Sequence, residues 1–231
     1  YLTSNFGRDG YREMAIQASV DYTRTFADAH SVNAMLVYHQ KERRYTTPSD
    51  SSVDSNEKLE NKILAYREQG LAGRLTYGFK NRYLMELNFG YNGSDNFAEG
   101  KRFGFFPSVA VGYVISNEPY FKKLTDVVSL LKVRVSYGKS GNDIIDNDKR
   151  FPYLGSVDMN RSLYHYIGTN FNRVSGPIFT QIGNNDATWE VSKKLNIGVE
   201  LGLFNDLMLI VDVFREKRSG IFMQYQSVPA Q

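Results

Sequence analysis

The chain has 231 residues, 42% of them hydrophobic and 14% aromatic, with 16 Tyr, 15 Phe, 19 Gly, 6 Pro and no Cys, so disulfides, thiolate chemistry and Cys-based metal sites are excluded. The formal net charge is +3, with 28 Lys and Arg interleaved with 25 Asp and Glu, and this leaves no basic stripe for a nucleic acid. The longest apolar run, Leu207-Met208-Leu209-Ile210-Val211, falls far short of the ~18 residues of a membrane helix.

A mean hydropathy of −0.42 does not exclude a membrane protein, because a transmembrane strand needs only one apolar face. The first residues, Tyr1-Leu2-Thr3-Ser4, lack the charged leader and apolar stretch of a signal peptide, which reads as an internal piece of a longer chain.

Period-two alternation then recurs along the chain, while helical periodicity is scarce. Met14, Ile16, Ala18, Val20 and Tyr22 share one face, opposite Glu13, Ala15, Gln17, Ser19 and Asp21. Val32, Ala34, Leu36 and Tyr38 form a second apolar row, and Leu71, Gly73, Leu75 and Tyr77 a third. Tyr83, Met85, Leu87, Phe89 and Tyr91 follow, opposite Glu86, Asn88 and Asn92, and then Val109, Val111, Tyr113 and Ile115. Leu131, Val133, Val135 and Tyr137 oppose Lys132, Arg134 and Ser136; Leu195, Ile197, Val199 and Leu201 oppose Asn196 and Glu200; Leu207, Leu209, Val211 and Val213 oppose Ile210 and Asp212. The count is about eight strands, each near the ~9–11 residues that cross a bilayer at a tilt.

The connections alternate in length. Short links fall at 27–31, 80–81 and 204–206, long polar segments at 41–68, 92–104 and 139–190, and a medium one at 116–129 where a short link is due. Tight turns at one end and large loops at the other are the pattern of an up-and-down barrel with periplasmic turns and extracellular loops. Tyr22, Phe26, Tyr77, Phe79, Tyr83, Tyr113 and Tyr137 cluster near strand ends, where headgroup girdles are expected, although Tyr and Phe are also good strand residues. The segments 75–85 and 199–209 both read as strand, Gly, Asn-containing turn, strand, and are taken as two copies of one hairpin geometry.

Several motifs resemble the C-terminal half of the SusC/RagA family of TonB-linked outer-membrane transporters. They are Gly70-Leu71-Ala72-Gly73-Arg74-Leu75-Thr76-Tyr77 followed by Arg82-Tyr83-Leu84-Met85-Glu86-Leu87-Asn88-Phe89; Arg102-Phe103-Gly104-Phe105-Phe106-Pro107-Ser108-Val109; Leu131-Lys132-Val133-Arg134-Val135-Ser136-Tyr137-Gly138; and Trp189-Glu190 with Lys194-Leu195-Asn196-Ile197-Gly198-Val199-Glu200. The resemblance implies an all-β fold, an antiparallel up-and-down transmembrane β-barrel segment contributing about eight strands to a roughly 22-stranded barrel in the bacterial outer membrane. Residues 1–231 then form one partial barrel domain, without plug, TonB box or signal peptide. The implied partners are a SusD-like surface lipoprotein, the TonB complex reached through the absent N-terminal part, outer-membrane lipid, and an oligosaccharide or peptide substrate. No nucleic-acid partner, enzymatic activity, metal or cofactor is expected.

Candidate sites are few. Ser129-Leu130-Leu131-Lys132 and Ser94-Asp95-Asn96 match two motifs of penicilloyl-serine enzymes, but in reversed order, without K-T-G and on a strand, so they are taken as chance. Gly100-Lys101 lacks the spacing of a phosphate loop, and His30, His39 and His165 lack metal-ligand spacing. Asp143, Asp146 and Asp148 form an acidic cluster that reads as a solvated loop, with calcium as the sharper alternative. The aromatics Tyr153, Tyr164, His165, Tyr166 and Trp189 are the ligand-binding candidates, since flat rings suit apolar sugar faces; the bland alternative is that they pack the loop's own core. Glu86, Arg134, Glu200 and Asp212 are expected to face the lumen as mutually screened charges. Two other architectures remain open on the sequence: a small closed outer-membrane barrel enzyme and a soluble β-sandwich carbohydrate-binding module.

Overall fold

A computed structural model describes residues 10–46, 65–124, 126–145, 150–167 and 170–223. Ten strands are present: β1 (Gly10–Phe26), β2 (His30–Thr46), β3 (Tyr66–Phe79), β4 (Tyr83–Ser94), β5 (Phe103–Val114), β6 (Val128–Asn142), β7 (Ser156–Ile167), β8 (Asn170–Gln181), β9 (Glu190–Leu203) and β10 (Leu207–Ser219). Eight of them make one antiparallel sheet in the order β1-β2-β3-β4-β5-β6-β9-β10, and β7 and β8 pair with each other as a separate hairpin. The order is sequential apart from that excursion, which is the meander the alternation predicts.

The register places one set of side chains on each face. Val20, Leu36, Gly73, Phe89 and Pro107 lie in a single cross-strand row, as do Leu75, Leu87, Val109, Tyr137 and Leu195. Thr23, Asn33, Thr76, Glu86, Ala110, Ser136 and Asn196 form a row of the opposite face. The apolar rows are open: Val20 is 70% exposed and Phe105 59%. No second sheet covers them among the described residues, so the sandwich alternative is not what forms. Nor does the sheet close on itself at eight strands, since β1 and β10 are its two edges within this chain.

From Tyr83 to Tyr91 the apolar row of β4 runs ~27 Å along the strand, or roughly 21 Å once a tilt near 40° is allowed for, close to the ~25 Å apolar band of an outer-membrane barrel. In hydrocarbon every backbone polar group must be satisfied internally, and this continuous ladder provides partners for the strands between its two edges, β1 and β10.

One end carries the short connections. Three of them place two consecutive residues at positive φ: Ala27 and Asp28, Lys80 and Asn81, Phe204 and Asn205. Each closes with a backbone hydrogen bond, Ala29 N to Phe26 O, Arg82 N to Phe79 O and Asp206 N to Leu203 O. Two successive left-handed residues mark the type I′ turn, whose twist matches that of the flanking strands. The two similar hairpins seen in the sequence thus share this geometry, and 27–28 is a third instance. The medium connection folds as two short 3₁₀ turns, Ile115–Asn117 and Pro119–Leu124.

At the opposite end the strands run on past the alternating rows. Lys41 to Thr46 continue β2, Tyr66 to Glu68 open β3, and Lys139 to Asn142 extend β6. Beyond the lipid both faces of a strand meet water, so the apolar–polar alternation fades while the ladder persists. Charge pairs take over there: Arg43 bonds Glu13 at 2.6 Å and Arg67 bonds Glu42 at 3.0 Å, both across neighbouring strands. The 139–190 segment, expected as one loop, contains the β7–β8 hairpin.

Leu87 sits mid-band on the lipid row and Thr76 on the inner row. In the full-length protein carrying this segment, Leu87→Lys is expected to destabilise by ~2–4 kcal/mol and Thr76→Lys by less than ~1 kcal/mol, measured by guanidinium unfolding from liposomes. Equal costs would contradict the assignment of faces.

Candidate functional site

The inner face is held by ion pairs that bridge strands. Arg74 on β3 bonds Glu86 on β4 at 2.8 Å, and Asn88 donates both to Glu86 at 2.8 Å and to Ser108 at 3.4 Å. Arg134 on β6 reaches over β9 to Asp212 on β10 with two hydrogen bonds of 2.9 and 2.8 Å. Glu200 lies 3.5 Å from Arg134 and 3.3 Å from Lys132. The Arg134–Asp212 pair passes above Gly198, where a Cβ would collide with both side chains. Towards the short-turn end, Ser31, Gly78, Ala110 and Gly112 leave a shallow concavity of about 420 Å³ whose lining includes Asn33, Thr76, Glu86, Lys132 and Arg134. Charge-assisted hydrogen bonds between guanidinium and carboxylate groups hold these side chains, which suits a wet wall that must hold its shape.

The large-loop end has its own small core. Pro107 has no N–H to give to a ladder, and the β5–β6 pairing begins at Ser108, immediately after it. The strands part there, and Phe106 fills the gap, lying where a Cβ on Gly141 or Gly104 would collide with its ring. Trp189 packs on it edge-on at 5.2 Å and on Phe97 at 5.4 Å, and its indole N–H donates to Arg102 O at 3.2 Å. Phe97 is 1% exposed and Trp189 8%.

Arg150 ties this cap together. It donates to Asp95 at 3.1 and 3.3 Å and to the Ala65 carbonyl at 3.1 Å, and it lies over the rings of Tyr66 and Phe151. Tyr66 donates to Asp143 and Glu68, both at 3.2 Å, and Asn96 donates to the Asp143 carbonyl at 3.1 Å. Residues far apart in sequence, near 65, 95 and 150, are thereby joined. Burial pushes the Asp95 carboxyl above its usual value against the pull of Arg150. Burial, reinforced by the negative charges of Asp143 and Glu68, pushes the Tyr66 phenol well up.

The four residues expected on the lumen side, Glu86, Arg134, Glu200 and Asp212, share one face of the sheet, and all four are ion-paired. Trp189 is a core residue of the cap with its ring against Phe97 and Phe106, so the open-platform expectation for it is corrected to the packing alternative. Tyr153 is half-buried beside Phe151, at 6.0 Å. Tyr164, His165 and Tyr166 lie on β7, paired in register with Arg173, Asn172 and Phe171 of β8, in a hairpin whose contacts are chiefly internal. Asp143 serves the cap, while Asp146 and Asp148 lie outside the described residues. Arg150 carries no motif in the sequence, Asp95 stands there only in a chance Ser-Asp-Asn match, and Phe106 only in a family-like run. Only the break that Pro107 imposes on an aromatic strand hinted at this cluster.

A sheet whose outer rows are apolar and whose inner rows carry bridging ion pairs is the wall of a transmembrane β-barrel. A family model described as TonB dependent receptor-like, beta-barrel, matches residues 1–231, and the chain belongs to that family. It is 34% identical over 134 residues to the TonB-dependent receptor SusC of Bacteroides thetaiotaomicron, covering 58% of this chain and 13% of that protein. It is 28% identical over 199 residues to the TonB-dependent receptor P39 of Formosa agariphila, covering 80% of this chain and 18% of that one. The fold matches the RagAB peptide importer in its closed-closed state with a TM-score of 0.67 at 21% identity, over 91% of this chain and 24% of the other. The chain thus spans less than a fifth of the curated relatives' length.

Replacing Arg150 with Ala removes the tie between three segments at once. Trypsin cleavage at Lys101 or Arg102 of the full-length protein is expected to accelerate by about thirtyfold, the equivalent of ~2 kcal/mol of lost local protection. Unchanged cleavage would show that Arg150 does not hold the cap.

The Tyr66 phenol contributes stability that is fully present below its ordinary value of 10.0 and is lost as pH rises through the higher folded value. Subtilisin cleavage of the cap is therefore expected to stay flat up to about pH 10 and to rise above it, and Tyr66→Phe should abolish the alkaline rise.

Proposed function

We propose that this segment is part of an energised importer of the outer membrane, which takes up oligosaccharides or peptides together with a SusD-like surface lipoprotein and draws on TonB through a part of the protein outside this chain. The observation that carries this reading is the inner face: a wall of fixed, ion-paired side chains behind an apolar outer surface is suited to a hydrated path and not to bond-breaking chemistry. Membership of a family of TonB-dependent receptors supports transport over catalysis. The likeness in fold to a peptide importer supports peptides, and the oligosaccharide alternative rests on the family resemblance of the sequence motifs. The same family and the band height support an outer-membrane location.

The test is uptake by cells carrying the full-length gene. Glu200→Gln with Asp212→Asn is expected to lower substrate uptake by several-fold while the barrel still assembles, as judged by heat-modifiable migration in SDS gels. Deleting TonB should abolish uptake, and a lipoprotein should co-purify. Uptake that does not depend on TonB would overturn the reading.

A further inference from the structure

The connection between β5 and β6 is unlike its neighbours at the same end. The other three are tight positive-φ turns, whereas this one folds into the 3₁₀ turns Ile115–Asn117 and Pro119–Leu124. Its position is set by Glu118, 8% exposed, whose carboxylate accepts from Tyr83 at 3.0 Å, from Tyr113 at 3.2 Å and from Arg82 at 3.3 Å. Tyr83 and Tyr113 pair across β4 and β5 in the outer, lipid-facing row, their rings stacked at 5.0 Å. The connection is therefore pinned beneath the apolar band on its lipid side, not across the lumen.

Tyr120 continues the same belt, its hydroxyl 3.2 Å from that of Tyr113 and its side chain 67% exposed. In a 3₁₀ helix residues i and i+3 eclipse, so Lys123 stands on the edge that carries Tyr120, while Phe121 is buried. Leu124 and Val127 are about half exposed. Exposed apolar groups beside lysines, at the edge of a hydrocarbon band, make an amphipathic element of the headgroup layer. Of the turn's two acids, Glu118 is engaged by Arg82 and the tyrosines.

We propose that this turn binds the phosphate of an anionic phospholipid in the leaflet facing the short turns, with Lys123 as the principal contact and Lys122 in support. The inference rests on the outer-membrane reading above and adds a lipid site to it.

The test uses the full-length protein in nanodiscs of phosphatidylglycerol and phosphatidylethanolamine in equal amounts, with retained lipid counted by native mass spectrometry. The wild type is expected to retain phosphatidylglycerol preferentially. Lys123→Gln should weaken that retention about fivefold, and Lys122→Gln by less. Lys123→Arg should preserve it, as should Lys139→Gln at the opposite end of the band. Equal retention of the two lipids by the wild type, an unchanged preference in Lys123→Gln, or displacement of the lipid by inorganic phosphate would each overturn the site. A protein that does not enter nanodiscs at all would overturn the membrane reading itself.

Discussion

The structure depends on one constraint: a chain in hydrocarbon has no water to satisfy its amides, so every N–H and C=O of the spanning segments must find a partner on a neighbouring strand. The sequential ladder from β1 to β6, then β9 and β10, meets that demand for every strand but the outer sides of β1 and β10. Because side chains alternate along such a ladder, the same requirement delivers two faces of opposite chemistry. The register then matters more than any single contact, since a slip of one residue would send Glu86, Arg134 and Asp212 into lipid.

The two ends of the sheet solve different problems. At the short-turn end the chain reverses in the least space available, even where Ala27, Lys80 and Phe204 must adopt a left-handed conformation that costs each about 1 kcal/mol or more. The hydrogen-bonded, stacked belt of His30, Tyr77, Phe79, Tyr83 and Tyr113 surrounds those turns. At the other end the lipid no longer dictates which face is apolar. Cross-strand ion pairs carry the ladder upward, and a compact cap forms around Phe97, Phe106 and Trp189.

Polar side chains do distinct work in the two regions. On the inner wall, the Arg134–Asp212 pair is partly solvated, so its strength is modest and its value lies in fixed geometry over Gly198. In the cap, the Arg150 side chain is 14% exposed and gathers a carboxylate, a backbone carbonyl and two aromatic rings, so losing it would strand several groups together.

The sequence by itself determined the spanning strands, their alternating faces, the alternation of short and long connections, and that Glu86, Arg134, Glu200 and Asp212 fall on one face. All of these follow from the period-two pattern that contact with lipid on one side and water on the other imposes. It also carried enough motif order to indicate the family. Only the tertiary structure decided where the strands end beyond the bilayer, because there the pattern vanishes while the hydrogen bonds continue. It decided too that Trp189 packs inside the cap, and that Arg150 reaches Asp95 and Ala65. Those contacts join residues dozens of positions apart, and no local periodicity encodes such a meeting. The parting of the strands at Pro107 and the outward fold of 115–124 likewise arise from packing between neighbours that the chain brings together only once the sheet has formed.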